Sequence, residues 1–475
     1  MVVATQAGAD GWTSRTAFIL AAIGAAVGLG NVWRFPTLAG ENGGGAFVIF
    51  YIGCVILIGL PLVLSEILIG RHGRSDAMHS VEKVAADSGV SRGWGLFGGT
   101  GILAAFLIMT FYSVVAGWVI YYIGVMGWDF VGALFSGAPF AGALAAENPD
   151  QISSRMTDLF ANWPLLLVLH AMFMVATIWI VARGVQSGIE KAATYLMPTF
   201  FVLLILITVY GAFTGNFAEA VAFMFNPDFS KLTASAMNQA LGQALFSMSL
   251  ASAALITYGA YVSRETKLAP TAMMIAAADT GVAIIAGLMI FPIVFAAGLD
   301  AAAGPTLVFQ SLPIAFHTMP GGALVGFLFF ILIFFAALTS SISLLEGVVS
   351  WCINKFGMAR ATAAWGVGGL MFVIGIGCAL SLNVWSEFRL LPFIPNFAEN
   401  NLMDTIDGFT GQVLLPVTAL LTSIFIGWRA DRQLVLAETG LTGGMFTLWR
   451  FLVAWLCPIA VALILVFGLF PELLA

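Results

Sequence analysis

Long unbroken apolar runs decide what this chain can become. About 20 consecutive apolar residues carry a helix across a bilayer, and runs of that kind recur from residue 15 to the far end. With 60% of residues hydrophobic and 9% charged, against about 25% charged in soluble domains, lipid is the main solvent. Hydropathy places eleven spans, at 15–37, 45–70, 96–125, 162–182, 186–212, 236–262, 270–298, 322–353, 361–383, 405–428 and 443–470. The 304–317 stretch is too short to span and carries Pro305 and Pro313, so it reads as a folded loop. The expected class is an all-α polytopic membrane protein with 11 transmembrane helices in a single domain over 1–475.

Basic residues collect on the cytoplasmic side of membrane proteins. If the N-terminus lies inside, that side receives Arg15, Arg71, Arg74, Lys83, Arg92, Arg183, Lys191, Arg264, Lys267, Lys355, Arg360, Arg429, Arg432 and Arg450. The other side receives Arg34, Arg155, Lys231 and Arg389. Fourteen against four predicts a cytoplasmic N-terminus. An odd span count then puts the C-terminus on the far side of a cell inner (cytoplasmic) membrane. The first 14 residues lack Lys, Arg and an apolar run, so no cleavable signal peptide is expected. The four cysteines lie in or beside spans without metal-type spacing and read as apolar fillers.

Ionisable groups inside a membrane cost about 2.5–3.5 kcal/mol each at a helix centre. Arg34, Glu41, Glu66, Asp279, Glu346 and Asp407 therefore need a reason. One alone could be a structural pair or a snorkelling end; six together point to an internal hydrophilic site. The first span contains Gly24-Ala-Ala-Val-Gly-Leu-Gly-Asn31, then Trp33, Arg34, Phe35 and Pro36, poor material for a continuous helix. Glycine-rich stretches also serve as packing faces, but packing needs no adjacent Asn, Arg and Pro. A break at mid-membrane must line a cavity or be buried in protein.

The sixth span places Gln243, Ser247, Ser249 and Ser252 in an apolar segment. At 1.5 Å per residue, the break near residues 24–30 lies close to the midplane. Ser247, Tyr112 and Asp279 come to similar depth, with Thr339, Ser340 and Ser341 slightly toward the cytoplasm. Breaks five spans apart suggest two five-helix repeats of inverted topology, 15–212 and 236–428, with 443–470 as an additional helix. Half-helix N-termini suit a carboxylate, and freed carbonyls suit a hard cation. Unwound carbonyls with Asn31, Ser247, Thr339 and Ser340 offer oxygens without soft sulfur or imidazole. Together they predict sodium-coupled carriage of a carboxylate-bearing solute.

At this point the residues resemble a known family. Gly24 through Asn31, Arg34-Phe-Pro36 and Glu41-Asn-Gly-Gly-Gly-Ala-Phe47 are similar to the signature of the neurotransmitter:sodium symporters. So are Pro61…Glu66…Gly70-Arg71 and Leu338-Thr-Ser-Ser341. The likeness runs from about Trp12 to the end, and eleven spans resemble a bacterial amino-acid-transporting subset. The resemblance implies the bacterial leucine transporter type of fold, with discontinuous helices 1 and 6, and transport without catalysis.

It also implies site residues. One sodium would use the Ala26 carbonyl, Asn31, Ser247 and the position held by Asp279. The other would use the carbonyls of Gly24, Val27 and Ala336 and the hydroxyls of Thr339 and Ser340. The substrate carboxylate would meet the Leu29 and Gly30 amides and Tyr112, and its amine the carbonyls near Ala26, Phe246 and Ser249. Ile108, Phe246, Ser252, Ser341 and Leu344 would bound its side chain, and Arg34 with Asp407 would form an outer gate. Partners would be a small zwitterion, two Na+ ions and the bilayer; no organic cofactor and no nucleic acid are expected.

Gly28 stands where monoamine carriers of the family have an aspartate, which implies a substrate that brings its own carboxylate. The chloride site of animal members resembles Tyr51, Gln243 and Ser247 here, with Asp279 and Ala283 replacing an Asn and a Ser. A fixed carboxylate predicts chloride independence, and its protonation on the empty return step predicts proton counter-transport. The family's cytoplasmic Arg–Asp latch falls on Ala9 and Asn354, and Tyr261 with Glu346 offers another inner closure. Ala251 and Ala253 sit where relatives usually have glycine, which should stiffen the unwound segment. Ser252 replaces a bulky aromatic residue, widening the pocket. An intramembrane Ser/His hydrolase lacks a matching serine at the depth of His170, and a passive channel leaves paired breaks unexplained. A proton-coupled carrier of the same fold is the alternative, as is a sodium-coupled carrier of a taurine-, betaine- or GABA-type zwitterion.

Overall fold

The computed structural model describes residues 11–470 and 473, and all regular structure among them is helical. Ala9 lies outside the described residues. The first span is two helices, α1 (Arg15–Ala26) and α2 (Gly30–Glu41), bent by 50° at their junction. Then come α3 (Gly45–Gly73), the short α4 (Ala77–Asp87), α5 (Arg92–Phe135), the short α6 (Pro149–Ala161), α7 (Trp163–Ala182) and α8 (Val185–Thr214). After α9 (Phe217–Phe225), the sixth span divides into α10 (Ala234–Ser247) and α11 (Ala254–Ala260). The rest is α12 (Leu268–Ala296), α13 (Leu312–Thr318), α14 (Gly322–Phe356), α15 (Arg360–Leu380), α16 (Leu402–Arg429), α17 (Arg432–Thr439) and α18 (Gly443–Leu469).

Nine of these helices are long and apolar enough to cross a bilayer, and the bent α1–α2 pair makes ten among the described residues. The sixth expected span is absent from that count because α10 and α11 have 14 and 7 residues, short of the length a crossing needs. Eleven is therefore not reached by length and apolarity. The stretch expected as a folded loop at 304–317 is mostly helical, with a π-turn at Leu307–Ser311 leading into α13.

Proline shapes the long helices. Five π-helical turns, Gly30–Arg34, Val55–Gly59, Leu307–Ser311, Thr410–Leu414 and Leu452–Leu456, each end two residues before a proline. A proline in a helix has no N–H to give, and its ring collides with the carbonyl four residues back. The chain answers by widening the preceding turn: the residue before each proline donates to the carbonyl five residues back, as Phe35 does to Gly30 and Leu415 to Thr410. The helix continues past the proline with an extra residue in one turn.

α14 packs along α5 at the centre, α11 against α3, α12 against α8, and α15 against α7. The α3–α11 contact is close because both faces carry glycine. A Cβ on Gly70 would lie 1.9 Å from the Ile256 carbonyl oxygen, and one on Gly259 would lie 2.8 Å from that of Ile67. Helix backbones this near need residues without side chains.

Candidate functional site

Both breaks lie side by side within the bundle. α1 starts on Ser14, whose hydroxyl accepts from the Ala17 amide, and stops where Val27 turns extended at φ −73°, ψ 110°. The chain coils again only after Gly28, so the last α1 carbonyls lose their helical partners. The second break spans residues 248–253, where Ser249, Ala251 and Ala253 all take left-handed backbone angles, with φ of 51°, 64° and 63°. Such angles cost an L-residue roughly 1–2 kcal/mol each. The expectation that alanine would stiffen this segment meets a segment that is unwound nonetheless. Glu66 of α3 helps hold it: its Oε1 accepts from the Ala251 amide at 2.7 Å.

Side chains bind the two breaks together. Ser249 Oγ donates to the Ala25 carbonyl at 2.7 Å, and Gln243 Nε2 donates to the Gly30 carbonyl at 2.7 Å. Asn31 Oδ1 accepts from the Gly28 amide at 3.0 Å. Its Nδ2 reaches Asp279 Oδ1 at 2.7 Å and the Asp279 carbonyl at 3.0 Å, with Ser247 Oγ also at 3.0 Å. Ser247 Oγ donates to the Asp279 carboxylate at 2.7 Å and stands 3.3 Å from the Tyr51 hydroxyl. All four of these side chains are buried. Four elements, α2, α3, α10 and α12, thus place a carboxylate, an amide and two hydroxyls in one water-poor spot, where electrostatic interactions are strong.

A second oxygen cluster lies on the other flank of α1. Ser340 Oγ is 3.2–3.4 Å from the carbonyls of Gly24, Ala25 and Val27. Thr339 Oγ1 donates back along α14 to Phe335 and Ala336 at 3.0 and 3.1 Å. A Cβ on Gly24 would sit 3.1 Å from that of Thr339, so α1 and α14 meet tightly here. Gly28 is more constrained still: a Cβ there would lie 2.5 Å from Ser340 Oγ and 3.2 Å from the Tyr112 hydroxyl. The break therefore accepts only glycine without a shift of Ser340.

Between the clusters is a cavity of about 40 Å³ lined by Ala26, Gly28, Leu29, Gly30, Ile108, Tyr112, Phe246, Ser247, Ser249, Leu250, Ser252, Ser340, Leu344 and Leu415. Its polar end is the Tyr112 hydroxyl, 3.5 Å from the Leu29 amide. Phe246 carbonyl oxygen accepts from the Ser249 amide, and the Ser249 carbonyl from the Ser252 hydroxyl. Ser341 does not line this space: its hydroxyl is 2.9 Å from that of Thr177 on α7. Leu250 and Leu415 line it and were not among the residues that sequence reasoning singled out. Leu250 sits in the unwound segment; Leu415 is one apolar residue in an apolar helix, with no local signal.

Above Phe246 the space widens into a vestibule of about 250 Å³ that includes Trp33, Arg34, Glu41, Phe111 and Asp407. The Arg34 guanidinium stacks over the Phe246 ring, 4.5 Å from its centroid. Arg34 and Asp407 both line the vestibule, but they form no ion pair within 4.0 Å among the described residues.

The opposite face is tied shut. Trp12 donates its indole N–H to the Tyr258 carbonyl at 3.2 Å. Tyr261 donates to Glu346 Oε1 at 2.7 Å, and Arg360 grips the same carboxylate with two nitrogens at 2.7 and 3.1 Å. Arg360 was counted in the sequence only as one more cytoplasmic cation. Asn354, at the family's aspartate position, donates to Asp76 Oδ2 at 2.9 Å.

Two broken helices enclosing buried oxygen clusters, with a vestibule on one side and a face tied shut on the other, define an ion-coupled membrane carrier. Comparison with known proteins agrees. The Sodium:neurotransmitter symporter family matches residues 9–127 and 150–471. The chain belongs to that family of sodium-dependent transporters. It is 34% identical over 457 residues to an uncharacterized sodium-dependent transporter, YhdH, of Bacillus subtilis strain 168, covering 95% of this chain and 96% of that one. An uncharacterized sodium-dependent transporter of Haemophilus influenzae is 33% identical, covering 97% and 98%. The crystal structure of MhsT in complex with L-phenylalanine superposes with a TM-score of 0.85 at 41% identity, covering 96% of this chain and 99% of that one.

Proposed function

We propose that this transporter couples sodium entry to uptake of a neutral amino acid by alternating access, without chloride. The carrying observation is the end of the cavity where the Leu29 amide and the Tyr112 hydroxyl converge beside Asn31, Ser247 and Asp279. A carboxylate there accepts from the amide and the hydroxyl while contacting a sodium ion held by the neighbouring oxygens. Gly28 supports a substrate with its own carboxylate, since an aspartate in its place would strike Ser340 and Tyr112. The complex of MhsT with L-phenylalanine supports an amino acid as the class.

One sodium is assigned to Ala26, Asn31, Ser247 and Asp279, and a second to Gly24, Val27, Ala336, Thr339 and Ser340. The Asp279 carboxylate supplies the negative charge that chloride would bring. Arg34 and Asp407 close over Phe246 once substrate is bound. The first, second, sixth and seventh spans, two from each of the repeats 15–212 and 236–428, rock against the rest at the shared site, in an inner membrane with the N-terminus cytoplasmic. Each sodium ion entering down the potential contributes about 2.3 kcal/mol per 100 mV. The test is uptake into proteoliposomes over a panel of amino acids, amines and betaines under an imposed sodium gradient. Sodium-driven uptake of neutral amino acids is expected; preference for an amine lacking a carboxylate, or equal uptake with potassium in place of sodium, overturns the reading.

A further inference from the structure

His72 ends α3 on the cytoplasmic side, away from both oxygen clusters. Its two ring nitrogens face carboxylates on two other elements. Nδ1 is 3.0 Å from Glu438 Oε1 on α17, and Nε2 is 2.8 Å from Asp87 Oδ2 at the end of α4. Ionised carboxylates only accept hydrogen bonds, and a neutral imidazole has a single N–H. Both contacts are hydrogen bonds only in the imidazolium form. In the neutral form one nitrogen turns a lone pair toward a carboxylate and that link is lost.

The surrounding charges make the two links unequal. Glu438 is held independently, because Arg71 donates from Nε to Glu438 Oε2 at 2.8 Å and from another nitrogen to the Glu438 carbonyl. Burial pushes the Glu438 carboxyl up, but hydrogen bonds from His72 and Arg71 outweigh it and keep it below the usual glutamate range. Arg71 also donates to the Thr266 carbonyl at 2.6 Å, joining the α11–α12 connection, where Arg264 and Arg74 add positive charge. Asp87, the acid facing His72 from α4, pairs with no second cation among the described residues. A backbone link from Asp431 at the start of α17 to Ser88 Oγ, 2.9 Å, closes a ring through α3, α4 and α17.

We propose that His72 is the proton-sensitive pin of a cytoplasmic clasp that fastens the inner end of α3 to α4 and α17 while the inner face is closed. The clasp rests on the alternating-access reading, in which the inner end of α3 must part from its neighbours. A fall in cytoplasmic proton concentration across the imidazole range loosens it, because Asp and Glu do not titrate there. The first link to go is the one to Asp87, so α4 is freed before α17.

Hydrogen–deuterium exchange of the full chain in lipid nanodiscs tests this without any substrate, so it succeeds or fails independently of the transport assay. Between pH 6.0 and pH 8.5, after correction for intrinsic rates, protection of residues 80–88 in the wild type should fall roughly threefold to tenfold, the size of one partly exposed charged hydrogen bond. His72→Gln, with a single donor group, and Asp87→Asn should show the low protection at both pH values. His79→Gln, which removes the α4 histidine paired with Asp76 at 2.6 Å, should keep the pH dependence. Equal wild-type protection at both pH values overturns the proposal, as does wild-type behaviour in His72→Gln or loss of the effect only in His79→Gln.

Discussion

Replacing Gly28 by alanine adds one methyl group at the tightest point of the break. That carbon would sit 2.5 Å from Ser340 Oγ and 3.3 Å from Ser340 Cβ, well inside normal contact. The Tyr112 hydroxyl at 3.2 Å blocks escape on the other side, so the Ser340 hydroxyl must swing off the carbonyls of Gly24, Ala25 and Val27. Overpacking of this kind costs about 1–3 kcal/mol, and a sodium site that loses one oxygen weakens further. At about 1.4 kcal/mol per factor of ten, half-saturating sodium should rise tenfold or more. Thermal unfolding of the purified protein at increasing sodium concentration reads both effects. Gly28→Ala should lower Tm without sodium and flatten the sodium response. In the double variant Gly28→Ala with Ser340→Ala the 2.5 Å collision with Oγ is gone and only the 3.2 and 3.3 Å contacts to the Tyr112 hydroxyl and the residue 340 Cβ remain, so Tm without sodium should recover in large part while the sodium response stays weak, as in Ser340→Ala alone. An unchanged sodium response in Gly28→Ala, or a normal one in the double variant, would refute the steric and ligand argument together.

Ala251→Gly should be tolerated within about 1 kcal/mol, whereas Ala251→Val forces a β-branched residue to φ 64° and should cost about 2 kcal/mol; chemical denaturation compares them. Glu346→Gln leaves Arg360 and Tyr261 without the carboxylate they share and should destabilise the inner closure by about 3–5 kcal/mol, read as faster labelling of a cysteine placed at Thr257. Adding Arg360→Gln should return much of that loss, and no recovery would argue against a coupled pair. Uptake in chloride and in gluconate should be equal; strong chloride dependence would remove the assigned role of Asp279.

Much of this arrangement was legible because its causes are local. Three glycines, Asn31 and Pro36 forecast the first break, since no continuous helix favours that composition. Asn31, Ser247 and Asp279 converge as their depths implied. What escaped were features set by contact across the bundle. Ser341 reads as a cavity hydroxyl by its place in the motif, yet Thr177 on α7 draws it away. Arg360 looked like a surface cation, because only the fold brings it to Glu346. The alanines at 251 and 253 argue against unwinding by local preference, and the Glu66 hydrogen bond with tertiary packing overrides them.

The prolines paired with π-turns have a consequence for how α16 works. Asp407 in the vestibule and Leu415 at the cavity are eight residues apart, which on a regular helix puts them about 80° apart around the axis. The widened turn at Thr410–Leu414 absorbs one residue, so the pair differ by only about 20° and look onto the same pathway. Pro416 therefore acts as a phase adjuster, bringing a helix's outer half and inner half into one azimuth. Were that turn to close up as regular helix with every residue kept, the outer end, Asp407 included, would swing by about 100° away from the route a solute takes; deleting one residue between 410 and 414 would instead keep the pair in line.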